Sequence, residues 1–339
     1  MVKYRNVVLK LGGSAITKKK DTTAIEELLS LLGLRESSTL NMKKLFSSMD
    51  KYFNWDVLNS IGPQVAEIYE NVDSLIIIHG AGLFGHSVVS HFLSTQKSEQ
   101  EYIGWPLTIL CVTLQNQMIV GWLQELGIPA ISIPPHATYI GKEAFSPDAI
   151  KLLDAQGEID ILNNMLYRRY VPVLYGDMVI DTTGQYRVLS GDTLLPILVR
   201  ELNNIDLVLA GLIFDPEINN KEVGVYTLDP SKYDRACLIR KITVPENDNL
   251  IFNLDEGREL SLDDLKSEIN SIVEEPSRLI NEHRDDVTGE MIGKLEDLIQ
   301  CARYGVKGYV VDISRLKDVI LGEKEVGTRI VPQVYSDIN

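Results

Sequence analysis

The segment Leu75-Ile-Ile-Ile-His-Gly-Ala-Gly-Leu-Phe-Gly-His86 passes from an apolar run through a glycine-rich turn into a helical pattern. A short continuous run rich in β-branched residues is typical of a strand that is buried on both faces of a parallel sheet. Glycines in the turn let backbone N–H groups approach an anion without a Cβ in the way. The segment therefore predicts a strand, a loop that can hold one phosphate group, and a helix.

The same alternation of apolar runs and helical patterns recurs along the chain. The predicted strands are Val7–Leu11, Leu75–Ile78, Ala130–Ile133, Val171–Leu174, Leu207–Ala210 and Gly308–Val311. The predicted helices are Phe84–Leu93, Leu107–Leu126, Ser146–Leu153, Leu194–Leu202, Leu262–Val273 and Met291–Tyr304. Alternation of this kind predicts an α/β fold in which helices cover both faces of a mainly parallel sheet.

Three stretches depart from this alternation. Residues Met178–Leu189 predict a β-hairpin that turns at Thr182-Thr-Gly184. Lys20–Gly62 is polar and helical in pattern, and it resembles an insertion. The stretch Asp215–Lys221 and the acidic residues 245–290 form a second candidate insertion.

Composition limits the classes of function. The 339 residues are 45% hydrophobic and carry a formal net charge of −15, which argues against nucleic acid or an anionic membrane as a partner. The three cysteines are far apart without ligand spacing, which is typical of a reducing compartment. The chain begins without a signal-peptide pattern and has no long apolar run, so we expect a cytoplasmic protein without a spanning helix.

Four more segments carry glycine, lysine or aspartate at the ends of predicted elements. They are Lys10-Leu-Gly-Gly-Ser14, Tyr175-Gly-Asp177, Ser190-Gly-Asp192 and Asp286-Val-Thr-Gly-Glu-Met-Ile-Gly-Lys294. Collected in one cleft, such turns and lysines would hold several phosphates, which indicates phosphoryl transfer. Lys10 ends an apolar strand, where a lysine seldom lacks a role; Lys18 and Lys20 fit either a solvated cluster or the site.

Histidines and aspartates leave more alternatives open. His86 follows the glycine loop and is expected beside the anion, while His79 fits a core or a functional role equally. His91, His136 and His283 are expected to be structural. Asp177 and Asp192 each follow a glycine and could carry a ligand, although either could instead cap a turn or a helix.

The familiar nucleotide motifs do not account for the chain. Gly80–Gly85 formally satisfies G-x-G-x-x-G, but the polar stretch Ser94–Glu101 replaces the second strand and acidic residue that a dinucleotide site requires. Neither a P-loop nor the protein-kinase signatures occur. Towards the C-terminal end of the sequence, Thr288 is expected to cap a helix that contains Lys294. The start of that helix offers backbone amides to a phosphate group.

In their order, the five segments resemble the amino acid kinase superfamily, and most closely the isopentenyl phosphate kinases. The specific parts are Phe84-Gly-His86, Val171-Pro-Val-Leu-Tyr-Gly-Asp177 and Val188-Leu-Ser-Gly-Asp192. The resemblance covers about residues 7–211 and 285–331. Fosfomycin kinases share the Phe-Gly-His loop.

The resemblance implies a three-layer αβα sandwich and a set of residue roles. It implies that ATP is held by Lys10, Gly12, Gly13, Ser14, Lys19, Thr288, Gly289 and Lys294. It implies that the acceptor phosphate is held by Ala81, Gly82, His86, Gly176 and Asp177. The implied catalytic residues are Lys10, His86, Asp192 and Lys294, with Asp192 orienting the two lysines. It further implies an acceptor lobe at 1–203, a nucleotide lobe at 204–339, Mg²⁺ with the ATP, no metal held by protein ligands, and a homodimer.

Elementary chemistry agrees with these roles. A phosphate monoester is already ionised near neutral pH, so the acceptor needs positioning and positive charge more than a strong base. His86 is therefore expected to donate a hydrogen bond to the acceptor phosphate. Small phosphate or phosphonate acceptors in general would suit such a site.

Two departures from the family pattern bear on nucleotide binding. After the strand Leu207–Ala210 the chain continues as Gly211-Leu-Ile-Phe-Asp-Pro-Glu, and the end of the usual motif returns only at Val223-Gly-Val-Tyr226. Glu290 stands where a second glycine is usual, which brings a carboxylate near a phosphate site. Three alternatives follow: an isopentenyl phosphate kinase, a kinase for another small phosphate or phosphonate, or a weakly active nucleotide-binding homologue.

Overall fold

The computed structural model describes residues 4–18, 22–34, 39–95, 98–141, 150–152, 155–213, 221–246, 249–272, 287–322 and 325–333. The chain divides into two compact units. One unit comprises Lys10–Leu194, and the other comprises Met1–Leu9 together with Leu195–Asn339.

The unit Lys10–Leu194 contains a parallel sheet covered by helices. Its strands are β1 (Asn6–Leu11, of which it takes the last two residues), β2 (Ser74–His79), β3 (Ala130–Ser132), β4 (Tyr139–Gly141), β5 (Ile150–Leu152), β6 (Val171–Tyr175), β7 (Asp177–Ile180) and β8 (Tyr186–Leu189). Its helices are α1 (Gly13–Ile16), α2 (Thr22–Leu31), α3 (Met42–Ser48), α4 (Trp55–Asn71), α5 (Gly82–Thr95), α6 (Ser98–Glu125), α7 (Pro135–Thr138) and α8 (Ala155–Tyr167).

The central strands of this unit run in the order β1-β2-β6-β3. The pairs β2–β6 and β3–β6 are parallel, with Ile77 opposite Val173 and Ala130 opposite Val171. All residues of β2 and β6 are buried, as the continuous apolar runs predict. Because parallel strands share one carboxyl edge, the loops after β2 and β6 begin at the same side of this sheet. Gly80 N, directly after β2, donates to Leu11 O at the end of β1 (3.1 Å), so the loop after β1 begins there as well.

Helix α6 packs against α5, β3 and β6. By length and composition alone its stretch Gly104–Glu125 could cross a membrane, and it is the one such stretch in the described part of the chain. Half of that stretch (50%) is buried inside the protein, and among its buried residues are the polar Gln115 and Asn116. A core helix explains the apolar run.

The other unit contains a mixed sheet. Its strands are Asn6–Leu9 of β1, β9 (Leu207–Leu212), β10 (Ile239–Val244), β11 (Ile251–Leu254), β12 (Glu259–Ser261), β13 (Lys307–Asp312) and β14 (Thr328–Pro332). Its helices are α9 (Leu194–Glu201), which starts at the boundary, α10 (Leu262–Ile272), α11 (Val287–Arg303) and α12 (Leu316–Ile320). The strand order is β12-β11-β10-β14-β13-β9; β9–β13 and β10–β14 are parallel, while β10–β11, β11–β12 and β13–β14 are antiparallel.

The expected α/β class with a mainly parallel central sheet is confirmed, and each predicted strand is present with ends shifted by at most about two residues. The hairpin is confirmed as β7 and β8. One helix prediction, Ser146–Leu153, is wrong: residues Ile150–Leu152 form β5, which pairs with β4, and the helix begins at Ala155. The alternation Ile-Lys-Leu at 150–152 has the period of a strand; residues 142–149 lie outside the described residues.

The turn of the β7–β8 hairpin is built around Asp181. Its buried carboxylate accepts hydrogen bonds from the Thr183 amide (2.9 Å) and hydroxyl (2.5 Å) and from Arg187 Nε (2.8 Å). These hydrogen bonds, that of the Thr183 hydroxyl foremost, hold the pKa of Asp181 well below its usual range. The ionised carboxylate therefore stabilises the folded hairpin.

We expect Asp181→Asn to destabilise the protein most at neutral pH. A carboxyl group whose pKa is lowered by folding contributes stability above its unfolded pKa of about 4, and the contribution is lost as the pH falls below it. Free energies of unfolding of the two proteins, measured by urea titration between pH 7 and pH 3, should converge as the pH falls. A difference that does not change with pH would contradict this role.

Candidate active site

The two predicted glycine loops of the unit Lys10–Leu194 touch through their backbones. A Cβ added at Gly80 would lie 2.6 Å from Gly13 N, and a Cβ added at Gly13 would lie 2.8 Å from Gly82 N. Both distances are shorter than any side chain tolerates, so the contact requires glycine on both loops. The loop after β1 and the loop after β2 therefore present their amides within one small volume.

Thr17 fastens these loops to each other. Its hydroxyl accepts a hydrogen bond from Leu83 N (2.8 Å) and donates one to Gly13 O (3.1 Å). Gly82 has φ +49°, and a Cβ there would lie 2.3 Å from Thr17 Oγ1. The left-handed backbone and the closeness of Thr17 both require glycine at the start of α5.

The loops that follow β6 and β8 join the same cluster. Gly176 N donates to His79 O (3.0 Å), and a Cβ at Gly176 would lie 3.2 Å from Ala81 N. A Cβ at Gly191 would lie 3.0 Å from His79 O. Four of the five predicted segments thus meet within this unit, although up to about half of the chain separates them in sequence.

Lys10 supplies the buried cation of this cluster. It is the penultimate residue of β1, with 2% of its surface exposed, and its Nζ lies 2.7 Å from Asp192 Oδ1. A buried ammonium group is costly unless it is paired, so each residue of this pair depends on the other. The predicted association of Lys10 with Asp192 is present in the structure, and Asp192 fixes the direction of the lysine.

His86 lies one turn into α5, directly after the glycine loop, and its side chain is exposed. Behind it, a Cβ at Gly85 would lie 3.4 Å from Val112 Cγ1 of α6. Leu83, Phe84 and Val88 of α5 are fully buried. The loop after β2 therefore has the imidazole of His86 on one side and the apolar side chains of α5 and α6 on the other.

Asp177 does not direct its carboxylate into open space. Its Oδ2 accepts hydrogen bonds from His136 N (3.0 Å) and pairs with His136 Nδ1 (2.7 Å), and its Oδ1 accepts from Met178 N (2.8 Å). The side chain of Asp177 is fully buried, whereas His136 is 29% exposed. Any contribution of Asp177 to the acceptor site would pass through its backbone or through His136, which the sequence predicted to be merely structural.

The end of the predicted insertion Lys20–Gly62 holds the first glycine loop from behind. Asn54 Nδ2 donates to Ser14 O (3.1 Å) and Thr17 O (3.0 Å), and Asn54 N donates to Ile16 O (3.0 Å). Lys18 N donates to Tyr52 O (3.1 Å). Sequence reasoning missed this support because nothing local to Asn54 signals a partner 40 residues away.

The remaining predicted residues cannot be assigned to this cluster. Lys19 lies outside the described residues. Thr288, Gly289 and Lys294 belong to α11 of the other unit, and only the backbone of these three residues is described. The helix begins at Val287, so Thr288 lies in its first turn and not before it. The side chain of Glu290 is likewise outside the described residues.

Metal ligands are not clustered in the described ranges. No group of three or more histidine, cysteine, aspartate or glutamate residues within them is arranged to hold a metal ion. Asp192 is the carboxylate that lies at the glycine loops, and it is paired with Lys10.

An α/β sheet whose strand-end loops carry contacting glycines and a buried lysine defines a phosphate-binding class of proteins. The sequence model of the amino acid kinase family matches residues 5–312, and the chain belongs to this family.

The chain is similar in sequence to two curated relatives and in structure to one solved protein. The isopentenyl phosphate kinase of Methanothermobacter thermautotrophicus is 27% identical over 337 residues, which cover 96% of this chain and 98% of the relative. The isopentenyl phosphate kinase of Arabidopsis thaliana is 26% identical over 321 residues, which cover 90% and 86%. A solved structure of an isopentenyl phosphate kinase matches with a TM-score of 0.63 and 24% identity over 96% of this chain and 100% of that chain, which shows the shared fold.

We expect Gly80→Ala to separate the two glycine loops. The added methyl group would lie 2.6 Å from Gly13 N, so one loop must move. We expect ATP affinity, measured by calorimetry, to fall at least about tenfold, the effect of one lost charge-assisted hydrogen bond.

Gly121→Ala is the matched control. Gly121 lies inside α6, and a Cβ there would contact nothing within 4 Å. Alanine in a helix interior is favoured over glycine by about 0.5–1 kcal/mol, so this variant should keep ATP affinity and lose no stability. Equal ATP affinities of the two variants would contradict the importance of the loop contact.

Proposed function

We propose that this protein transfers the γ-phosphoryl group of ATP to isopentenyl phosphate and forms isopentenyl diphosphate and ADP. The observation that carries the proposal is the contact of two glycine loops beside the buried Lys10–Asp192 pair. It is supported by similarity over nearly the whole chain to the isopentenyl phosphate kinase of Methanothermobacter thermautotrophicus.

In this proposal the reaction is an in-line displacement. An oxygen of the acceptor phosphate attacks the γ-phosphorus, and the bond from that phosphorus to the ADP oxygen breaks. The acceptor is already ionised near neutral pH, so no strong base is required. The task of the protein is to hold two polyanions in line and to offset their charge.

The nucleotide side of the site would use the amides of Gly12, Gly13 and Ser14 together with Lys10. Asp192 keeps the Lys10 ammonium directed along one line, because the two groups are 2.7 Å apart in a buried setting. By their match to the family pattern, Lys19, Thr288, Gly289 and Lys294 are proposed to bind the nucleotide as well. Mg²⁺ would arrive on the ATP phosphates and neutralise part of their charge, which is how Mg²⁺ is usually bound.

The acceptor side would use the amides of Ala81 and Gly82 and the imidazole of His86. Gly176 would form the boundary of the acceptor side, because it lies so close to Ala81 that an added Cβ would be 3.2 Å from Ala81 N. The apolar tail of the acceptor would extend along α5 and α6, where Val112 is buried and Ile109 is half-buried. The other two residues of α6 that the sequence assigned to this wall, Met118 and Val120, are half-buried and buried.

The remaining parts of the proposal concern organisation. We propose an acceptor lobe at about 1–203, a nucleotide lobe at 204–339, a cytoplasmic location and a homodimer. Exposed apolar side chains support self-association: Ile131 of the edge strand β3 is 39% exposed, and Ile161 and Tyr167 of α8, which packs against β6, are 57% and 90% exposed. Light scattering of the purified protein tests the dimer directly.

We expect His86→Ala to reduce turnover by about a hundredfold or more with little change in ATP affinity. Loss of one donor to a developing charge in a closed site typically removes about 2.7–4 kcal/mol of transition-state stabilisation. A coupled assay with ATP, Mg²⁺ and isopentenyl phosphate measures the effect. His91→Ala, one to two turns further along the same helix, is the matched control and should remain active; near-normal turnover of His86→Ala would exclude the assigned role.

We also expect the Michaelis constant to rise stepwise as the alkyl chain of the acceptor is shortened. Each buried methylene contributes about 0.8 kcal/mol, which corresponds to about a fourfold change per carbon. A series of alkyl monophosphates from five carbons to one tests this in the same assay. A flat series, or better use of a phosphonate such as fosfomycin, would favour a polar acceptor instead.

A further inference from the structure

A buried polar cluster lies directly beneath the proposed acceptor loop. It consists of His79 at the end of β2 and the neighbouring residues Gln115 and Asn116 of α6, each with 0% of its surface exposed. Burying polar groups in a core is costly unless they are hydrogen-bonded. Three buried polar residues in contact therefore indicate a function that apolar side chains of the same size would not provide.

The hydrogen bonds define which nitrogen of His79 carries the proton. His79 Nδ1 lies 3.1 Å from Gly80 O, and a carbonyl oxygen can only accept, so Nδ1 carries the proton. The unprotonated Nε2 then accepts a hydrogen bond from Asn116 Nδ2 at 3.0 Å. Gln115 Nε2 also lies 3.3 Å from His79 Nδ1, but two donors do not bond to each other, so the Gln115 amide donates to Gly80 O. Burial lowers the pKa of His79 to about 4, so the ring is neutral at physiological pH, as this arrangement requires.

Gln115 adds a second donor to the same carbonyl group. Its Nε2 lies 2.9 Å from Gly80 O. Both donors reach Gly80 O from the core, so the carbonyl group is held inward. In a trans peptide the N–H of the next residue points opposite to the carbonyl group, so the N–H of Ala81 is directed away from the core.

We propose that His79 and Gln115 are positioning residues for the acceptor phosphate, because together they hold the Gly80–Ala81 peptide with its N–H directed at that phosphate. Asn116 sets the tautomer of His79 that makes this possible. The inference rests on the proposed function for the identity of the acceptor. It adds residues that do not themselves touch the substrate.

A purely structural role gives a different kinetic result. If the cluster only stabilises the core, its loss lowers the melting temperature and the active fraction, and both substrates are affected alike. If it orients one peptide of the acceptor loop, its loss raises the Michaelis constant for isopentenyl phosphate while that for ATP stays the same. The ratio of the two constants therefore separates the alternatives.

The experiment compares four variants of the full chain. Gln115→Met keeps the length of the side chain without its donor, and His79→Leu removes the donor at Nδ1. His79→Asn retains an N–H near the position of Nδ1 and should rescue. Thr108→Val is the control, because Thr108 is buried on the same helix and bonds only to Gly104 O of its own turn in the described contacts.

We expect Gln115→Met and His79→Leu each to raise the Michaelis constant for isopentenyl phosphate about tenfold, the effect of one lost hydrogen bond, with the constant for ATP changed less than about twofold. His79→Asn should recover most of the loss, and Thr108→Val should resemble the wild type. Unchanged acceptor constants in Gln115→Met, or equal effects on both substrates, would overturn the inference.

A binding measurement keeps this test independent of the proposed reaction. Affinity for inorganic phosphate, measured by calorimetry, should weaken about tenfold in Gln115→Met and stay unchanged in Thr108→Val. A wild-type protein that binds phosphate but does not phosphorylate isopentenyl phosphate would overturn the proposed function alone. Equal phosphate affinity of Gln115→Met and wild type would overturn the positioning role alone.

Discussion

The backbone contact between the loop after β1 and the loop after β2 is the constraint on which the rest of the site depends. Two phosphates can react only if the groups that bind them lie within a few ångströms of each other. Side chains at Gly13 or Gly80 would keep the loops apart. Glycine at both positions, with Thr17 joining the loops, therefore allows the two proposed phosphate-binding loops to form a single site.

One buried cation, Lys10, lies at this contact in an otherwise acidic protein. A formal net charge of −15 repels polyphosphates at long range, so binding must come from short-range groups. Lys10 provides such a group, and its burial against Asp192 makes its direction fixed instead of flexible. Backbone amides contribute donors without adding mobile charge, which is why glycine loops suit a site for two polyanions.

The sequence predicted those parts of the fold and site that have local signals. Apolar strands, glycine turns and the hairpin at Thr182-Thr-Gly184 are read from neighbouring residues, and they are present. Strands β10, β11 and β12 were not predicted, because they lie in or next to the acidic stretch 245–290 that resembles an insertion, and the short strand β14 was not predicted either. The contacts of Asn54 with Ser14 and of His136 with Asp177 join residues 40 and 41 positions apart. Only the folded chain reveals such pairs, since the sequence around Asn54 or around His136 contains no pattern that identifies a partner so many residues away.

The proposed acceptor loop is held in place by buried residues that a substrate cannot contact. The proposed donors to the phosphate, the amides of Ala81 and Gly82, have no freedom of their own once their peptide planes are fixed. The Gly80–Ala81 peptide is held by the neutral His79 with Gln115, and the Ala81–Gly82 peptide is held by the hydrogen bond from Gly85 N to Ala81 O (3.0 Å). A protonated His79 would carry a hydrogen on Nε2 and would lose the bond from Asn116, so its low pKa of about 4 preserves the arrangement across the physiological range. The histidine that ends β2 therefore serves as a neutral support, which is a different role from the one proposed for the exposed His86 one turn into α5.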